Sequence, residues 1–253
     1  MIAGPAGLIA IGFIVGTIGT VIGSGGGFLL VPTLLLLDPL MKPEVVTGIS
    51  LAVVCFNTIS GSIAYGRMGR IDFRAGVIFA AAALPGAAVG AYMTSYIPRR
   101  VFDGIFGFLL IAASAYLVRT AGRASEQKPS GAYNLRLGAA ISVGIGFLSS
   151  LLGIGGGIIH VPALTHALKF PVHVATATSH FVLAVTTLVA TVIHVSNGTL
   201  DGHFTTIVWI AIGAIAGAQA GAKASTLMKG SWILQALAAG LSLIGIRILL
   251  PLL

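Results

Sequence analysis

Two apolar stretches are interrupted by one glycine-rich motif. Residues 23–32 read GSGGGFLLVP and residues 153–162 read GIGGGIIHVP, identical at six of ten positions. A glycine inside a helix costs about 0.8–1.0 kcal/mol relative to alanine and brings no side chain to pack, so a cluster of four marks a break. Length leads to the same point. Residues 7–37 as a single helix would reach about 46 Å at 1.5 Å per residue, too long for a hydrocarbon core of about 30 Å. Two full crossings need roughly 40 residues, which the segment lacks. It therefore breaks at its glycines and resumes as a shorter helix. That second piece either carries on across the membrane or folds back, and spacing alone leaves both open.

A membrane is the expected solvent because the chain has too little polar surface for water. It is 57% hydrophobic and 8% charged, with mean hydropathy +1.04, where soluble domains carry about 25% charged residues. The expected fold is an all-α polytopic membrane protein. Apolar segments fall near 6–37, 45–65, 75–97, 101–118, 137–168, 172–195, 204–223 and 231–252, and the polar run RTAGRASEQKPSGAYNLR (119–136) separates the first four from the last four. No Lys or Arg precedes the first apolar run, so that run reads as a retained segment and not a cleaved signal. The single cysteine, Cys55, cannot form an intramolecular disulfide and reads as a small apolar filler.

The second set of segments repeats the first. VTGISLAV (46–53) aligns with ATATSHFV (175–182), GRIDF (69–73) with GTLDG (198–202), and Gly86 and Gly90 with Gly217 and Gly221. Two pseudo-symmetric repeats are expected, over 5–119 and 137–253, joined by a cytoplasmic linker over 120–136. Charge weighs their relative orientation. Of the 14 Lys and Arg, eight and six fall on the two sides if each glycine segment crosses once. If each is a hairpin, the halves are inverted and the split becomes ten to four, which suits the positive-inside rule better. The expectation is inverted repeats with both termini outside. The same rule accounts for the net charge of +8 without a nucleic-acid partner.

All six acids, Asp38, Glu44, Asp72, Asp103, Glu126 and Asp201, lie in or beside loops. Carriers of cations and protons usually hold carboxylates at mid-membrane depth, so the pattern disfavours a cationic substrate. A broken helix supplies the opposite chemistry. The first amides of its second half have no intrahelical acceptor, and the helix dipole points its positive end at them. Such a terminus binds anions, and two matched breaks point to a central substrate site. The candidates are Gly23, Ser24, Gly25, Gly26 and Gly27, with Gly153, Gly155, Gly156 and Gly157. Polar side chains on the following segments are candidate neutral donors: Thr47, Ser50 and Asn57, with Thr176, Thr178 and Ser179. Hydroxyls in membrane helices also bond to backbone carbonyls or neighbouring helices.

The paired GxGGG…VP motifs, each followed by a Ser/Thr stretch (VTGISL, ATATSH), resemble the sulfite exporter TauE/SafE family, also called the toluene sulfonate uptake family. The resemblance covers nearly the whole chain. It implies a transporter of sulfur-containing anions, such as sulfite, sulfoacetate or other organosulfonates, in the bacterial inner membrane. The family motif carries over onto Gly23 to Gly27, Pro32, Thr47 and Ser50, and onto Gly153 to Gly157, Pro162, Thr176, Thr178 and Ser179. Ser24 and His180 differ between the two copies.

The histidines break the two-fold pattern. His160, His180 and His194 align with Leu30, Leu51 and Tyr65. A buried neutral histidine with one hydrogen bond is the common case, but His180 and His160 are candidates for proton coupling. No HxxxH or HExxH pattern appears, so no metal is expected, and no P-loop or other cofactor motif is present. Gln219 reads as an interhelical hydrogen-bonding group. GAAVG (86–90) and GAQAG (217–221) read as close-packing GxxxG seams. A secondary transporter is expected and not an enzyme, with a small anion and the bilayer as partners and a homo-oligomer left open. The alternatives are a carrier or channel for another small anion, such as a carboxylate, and an intramembrane enzyme.

Overall fold

The computed structural model describes residues 4–124, 133–228 and 230–250. Residues 125–132 of the expected linker, Glu126 and Lys128 among them, therefore lie outside the described residues, as does Lys229. All regular structure among the described residues is helical: α1 (Pro5–Ile22), α2 (Gly27–Leu37), α3 (Pro43–Arg67), α4 (Phe73–Met93), α5 (Arg99–Ala124), α6 (Leu135–Leu152), α7 (Gly157–Pro162), α8 (Val172–Ser196), α9 (Phe204–Leu227) and α10 (Gly230–Leu249). A 3-10 turn, Thr94–Tyr96, follows α4, and a π-helical turn, Ala163–Ala167, extends α7. Among the described residues six helices are long and apolar enough to cross a membrane: α1, α3, α4 with its 3-10 turn, α6, α8 and α9. The protein is a multi-pass membrane protein. Residues 120–124, expected in the linker, continue α5; alanine and arginine there are good helix formers and nothing stops the helix earlier.

The helices pair across the halves. The closest packing joins α1 to α9, α4 to α6 and α5 to α10, while α3 and α8 pack on each other and on α9 and α4 respectively. Glycine makes the first two pairs possible. A Cβ on Gly16 would lie 2.6 Å from the Ala214 carbonyl oxygen, one on Gly213 2.7 Å from the Phe13 nitrogen, and one on Gly217 2.8 Å from the Thr17 nitrogen. Gly86 and Gly90 meet the Phe147 and Leu151 nitrogens at 2.9 and 3.0 Å in the same way. Rising numbers on one helix meet rising numbers on the other, so α1 runs parallel to α9 and α4 runs parallel to α6. The GxxxG seams are thus backbone-on-backbone contacts.

α3 and α8 form the centre and run antiparallel: Gly48 meets His194 near one end, and Gly61 meets His180 nearer the other. Loop 38–42 and the turn around 94–99 share the first face, where the Arg99 guanidinium donates to the Met41 carbonyl at 3.0 Å and pairs with Asp103 at 2.7 Å. The second face holds loops 68–72 and 168–171. There Asp72 caps α4 by accepting from the Ala75 amide at 3.0 Å, and Tyr133 stacks on Phe170 at 3.6 Å between centroids. Burial, with the Asp72 carboxylate nearby, pushes the Tyr133 phenol upward from its ordinary pKa.

Candidate functional site

Each glycine motif is a tight reversal. α1 ends at Gly23 in a left-handed conformation, and the Ser24 and Gly25 amides both donate to the Gly19 carbonyl, at 2.8 and 3.1 Å. The chain then turns back beside its own helix, so that a Cβ on Gly26 would sit 2.6 Å from the Val15 carbonyl. The second motif does likewise. The Ile154 amide donates to the Ser149 carbonyl at 3.1 Å, Gly156 lies against the Ser149 side chain, and His160 comes back level with Ser142. Gly25 and Gly155 have φ of +74° and +77°, values that only glycine adopts freely.

The two reversals meet each other. Gly27 packs on the backbone of Gly153 and Ile154, and Gly157 packs on that of Gly23 and Ser24. Ser50 of α3 donates to the Gly153 carbonyl at 2.6 Å, and Ser179 of α8 donates to the Gly23 carbonyl at 3.3 Å. Each serine thus holds the reversal of the other half. Thr47 and Thr176 pack directly on Gly153 and Gly23. Val54 and Leu183, near the middles of α3 and α8, wedge against both Gly25 and Gly155. The site lies at mid-height of the central helix pair.

The sequence candidates separate into groups. Gly23 to Gly27, Gly153 to Gly157, Thr47, Ser50, Thr176 and Ser179 come together at the meeting of the reversals. The Thr47 hydroxyl donates to the Glu44 carbonyl at 3.1 Å, whereas the buried Thr176 hydroxyl has no hydrogen-bond partner. Ser24 is fully buried, with only a long 3.5 Å contact to the Gly19 carbonyl. Asn57 lies one layer away. Its amide donates to the Gly16 and Ala214 carbonyls at 3.2 and 3.1 Å and accepts from Thr20, bolting α1, α3 and α9 together. Thr178 is at the second face, where it accepts from the Asp72 amide at 3.0 Å. Gln219 bridges helices, donating to the Ser60 carbonyl and hydroxyl, both at 2.8 Å.

His180 is fully buried, with Nε2 3.4 Å from the Thr20 hydroxyl and its ring edge-on to Tyr65. The Tyr65 hydroxyl in turn donates to the Thr20 carbonyl at 2.7 Å. His160 sits inside the second reversal, with Nε2 3.3 Å from the Ser142 hydroxyl. His194 is in the last turn of α8, buried against Gly48. No group of three His, Cys, Asp or Glu able to hold a metal occurs among the described residues. Cys55 is a buried free thiol. Sequence reasoning missed Val54, Leu183, Thr20, Ser142 and Ser149. The first two align at the same offset as Ser50 and Ser179, and that was the available signal.

On the first face, two adjoining clefts of about 500 and 590 Å³ share Lys42, Glu44 and Ser95. Asn197 and Thr199 line the larger and Arg99 the smaller. Both lie at the start of α3, on the face that also carries the Arg99–Asp103 pair.

Comparison with known proteins places the chain among membrane transporters. The family model described as sulfite exporter TauE/SafE matches residues 8–248. The chain is 30% identical to "Probable membrane transporter protein YunE" of Bacillus subtilis over 96% of each chain. It is 31% identical to a probable membrane transporter protein of Methanocaldococcus jannaschii, covering 81% of this chain and 77% of that protein. A third relative, from Xylella fastidiosa and likewise described as a probable membrane transporter protein, is 28% identical over 90% of this chain and 85% of its own. No solved structure matches. With the motif-bearing reversals inside the matched region, the chain belongs to the sulfite exporter TauE/SafE family of membrane transporters.

Proposed function

We propose that the protein is a secondary transporter that moves a small sulfur-containing anion, such as sulfite, sulfoacetate or another organosulfonate, across the inner membrane, with a proton as coupling ion. The observation that carries this reading is the meeting of two glycine reversals at mid-height, each held by a serine from the other half. First-turn amides of α2 and α7 offer neutral donors to an anion without fixing a permanent charge beside it. Neutral donors suit a carrier, which must release what it binds. Ser50 and Ser179 spend their protons on Gly153 and Gly23 in this conformation, so releasing either bond frees a hydroxyl for the substrate. His160 and His180 are the buried histidines nearest the reversals.

We also read the halves as inverted repeats. α1 turns back into α2 and α6 into α7, and the parallel pairs α1 with α9 and α4 with α6 exchange places under a two-fold axis in the membrane plane. In such folds one unit moves against the other to alternate access.

The test is flux into proteoliposomes of labelled sulfite, sulfoacetate, taurine and acetate, with and without a pH gradient. Uptake of a sulfur anion above acetate is expected. Gly25→Leu and Gly155→Leu should abolish it, since a side chain there needs a strained φ and meets Val54 at 2.7 and 2.8 Å. A wild-type protein that carries only acetate would sink the substrate assignment. Leucine variants that fold and transport normally would remove the reversals from the site.

A further inference from the structure

The two reversals differ chemically. In the first half the Asn57 amide packs on the body of α1, where a Cβ on Gly16 would meet it at 2.8 Å. In the second half Thr186 stands at the aligned position, Ser142 and Ser149 replace Gly12 and Gly19, and His160 replaces Leu30. These four side chains, with Gly155 and Gly156, line a cavity of about 10 Å³ between α4, α6, α7 and α8, near the least that can admit one water. The Ser142 hydroxyl donates to the Gly138 carbonyl at 2.7 Å, and the Thr186 hydroxyl to the Val182 and Leu183 carbonyls at 3.1 and 3.3 Å. Their protons are committed, so both offer lone pairs. His160 is 2% exposed, and since Ser142 gives its proton elsewhere, the 3.3 Å contact is best made by Nε2–H donating to the serine oxygen. That tautomer leaves Nδ1 as an acceptor, and Nδ1 has no hydrogen-bond partner.

We propose that His160 is the proton-carrying group of the transport cycle, taking a proton on Nδ1 through a single water held in this cavity. The inference rests on the transporter reading above and assigns its coupling step. A hydronium ion at one aqueous face gives up its proton to the cavity water and becomes water; the cavity water passes a proton on, an O–H bond breaks as an N–H bond forms at Nδ1, and the ring becomes imidazolium. On the return that bond breaks and the proton passes to water at the other face. The anion is chemically unchanged. Besides His160 the cavity residues are Ala83 of α4, Ser142, Ile145, Gly146 and Ser149 of α6, Gly155 and Gly156, and Val182, Leu183 and Thr186 of α8. The Phe79 ring of α4 stands edge-on to the imidazole. None of these is titratable or charged, so no neighbouring ionisable group competes with the imidazole for the proton.

His160→Leu copies the residue the first half carries at this position, so the substitution has a precedent in the fold. In proteoliposomes with a trapped pH dye, the wild-type protein should move protons with sulfoacetate and accumulate it down a proton gradient. The His160→Leu protein should lose gradient-driven accumulation and its dye signal while still exchanging labelled for unlabelled sulfoacetate. Accumulation by this variant equal to wild type overturns the proposal. A second readout needs no substrate and so survives failure of the sulfonate assignment. In 15N-histidine protein in nanodiscs, the resonance removed by His160→Leu or His160→Gln should titrate between about pH 4 and 8. A His160 resonance that stays fixed across that range overturns the proposal whatever the transport assay gives.

Discussion

Ser50 and Ser179 were recognisable in the sequence as a repeated pair, yet nothing in one strand of text says that each would reach the opposite half. A hydroxyl reports only that it can give one proton and accept others; the acceptor is chosen by how the helices cross. Thr178 shows the other side of that limit. It shares a stretch with Ser179, but one residue along a helix turns a side chain by about 100°, and its hydroxyl serves the Asp72 corner instead. The serine bonds rank differently in length, and this gives a test. Ser50→Ala leaves the buried Gly153 carbonyl without its 2.6 Å donor, a loss of about 1–3 kcal/mol. Ser179→Ala removes a 3.3 Å bond and should cost less. Thermal unfolding in detergent should lower the melting temperature of both, and further for Ser50→Ala; a larger loss for Ser179→Ala would contradict the ranking.

At the scale of elements, apolar periods and glycine clusters were enough to place most helix bodies, and both breaks fell at their motifs. The end of α5 was not visible, because RTAGRA is polar enough to resemble a linker while remaining helix-compatible. The π-helical turn after α7 left no signal either, since Pro162 and the residues around it fit an ordinary α-helix as well. The glycine seams make the stricter prediction. At Gly217 a side chain would press on the α1 backbone, which cannot rotate away as a side chain can. Gly217→Leu and Gly86→Leu should therefore cost more than the 1–3 kcal/mol typical of overpacking, read as loss of the monodisperse fraction after purification. Val208→Leu on the exposed side of α9 (52% exposed) should leave that fraction unchanged. Equal yields from all three would mean the seams are not close contacts.

For the whole molecule, the uneven distribution of Lys and Arg gave the orientation argument before any geometry, because the bias acts on short loops whatever the helices between them do. The pairing of α1 with α9 was beyond reach, since a small-residue seam does not name its partner. On the inverted reading, Lys42 and Thr199 share one face and Lys169 lies on the other. Replacing Cys55 by Ala and placing single cysteines by Lys42→Cys, Thr199→Cys or Lys169→Cys should give the first two variants impermeant labelling from one side and the third from the opposite side. Labelling of positions 42 and 169 from the same side would refute it. The meeting of the reversals also has an electrical consequence. Two net hydrogen bonds are worth about 1–3 kcal/mol together, and carrying one elementary charge through 100 mV involves about 2.3 kcal/mol. The serine bonds and the membrane voltage are therefore of comparable strength, so for a charged cargo the cell's own potential is large enough to shift the balance between the closed and released arrangements.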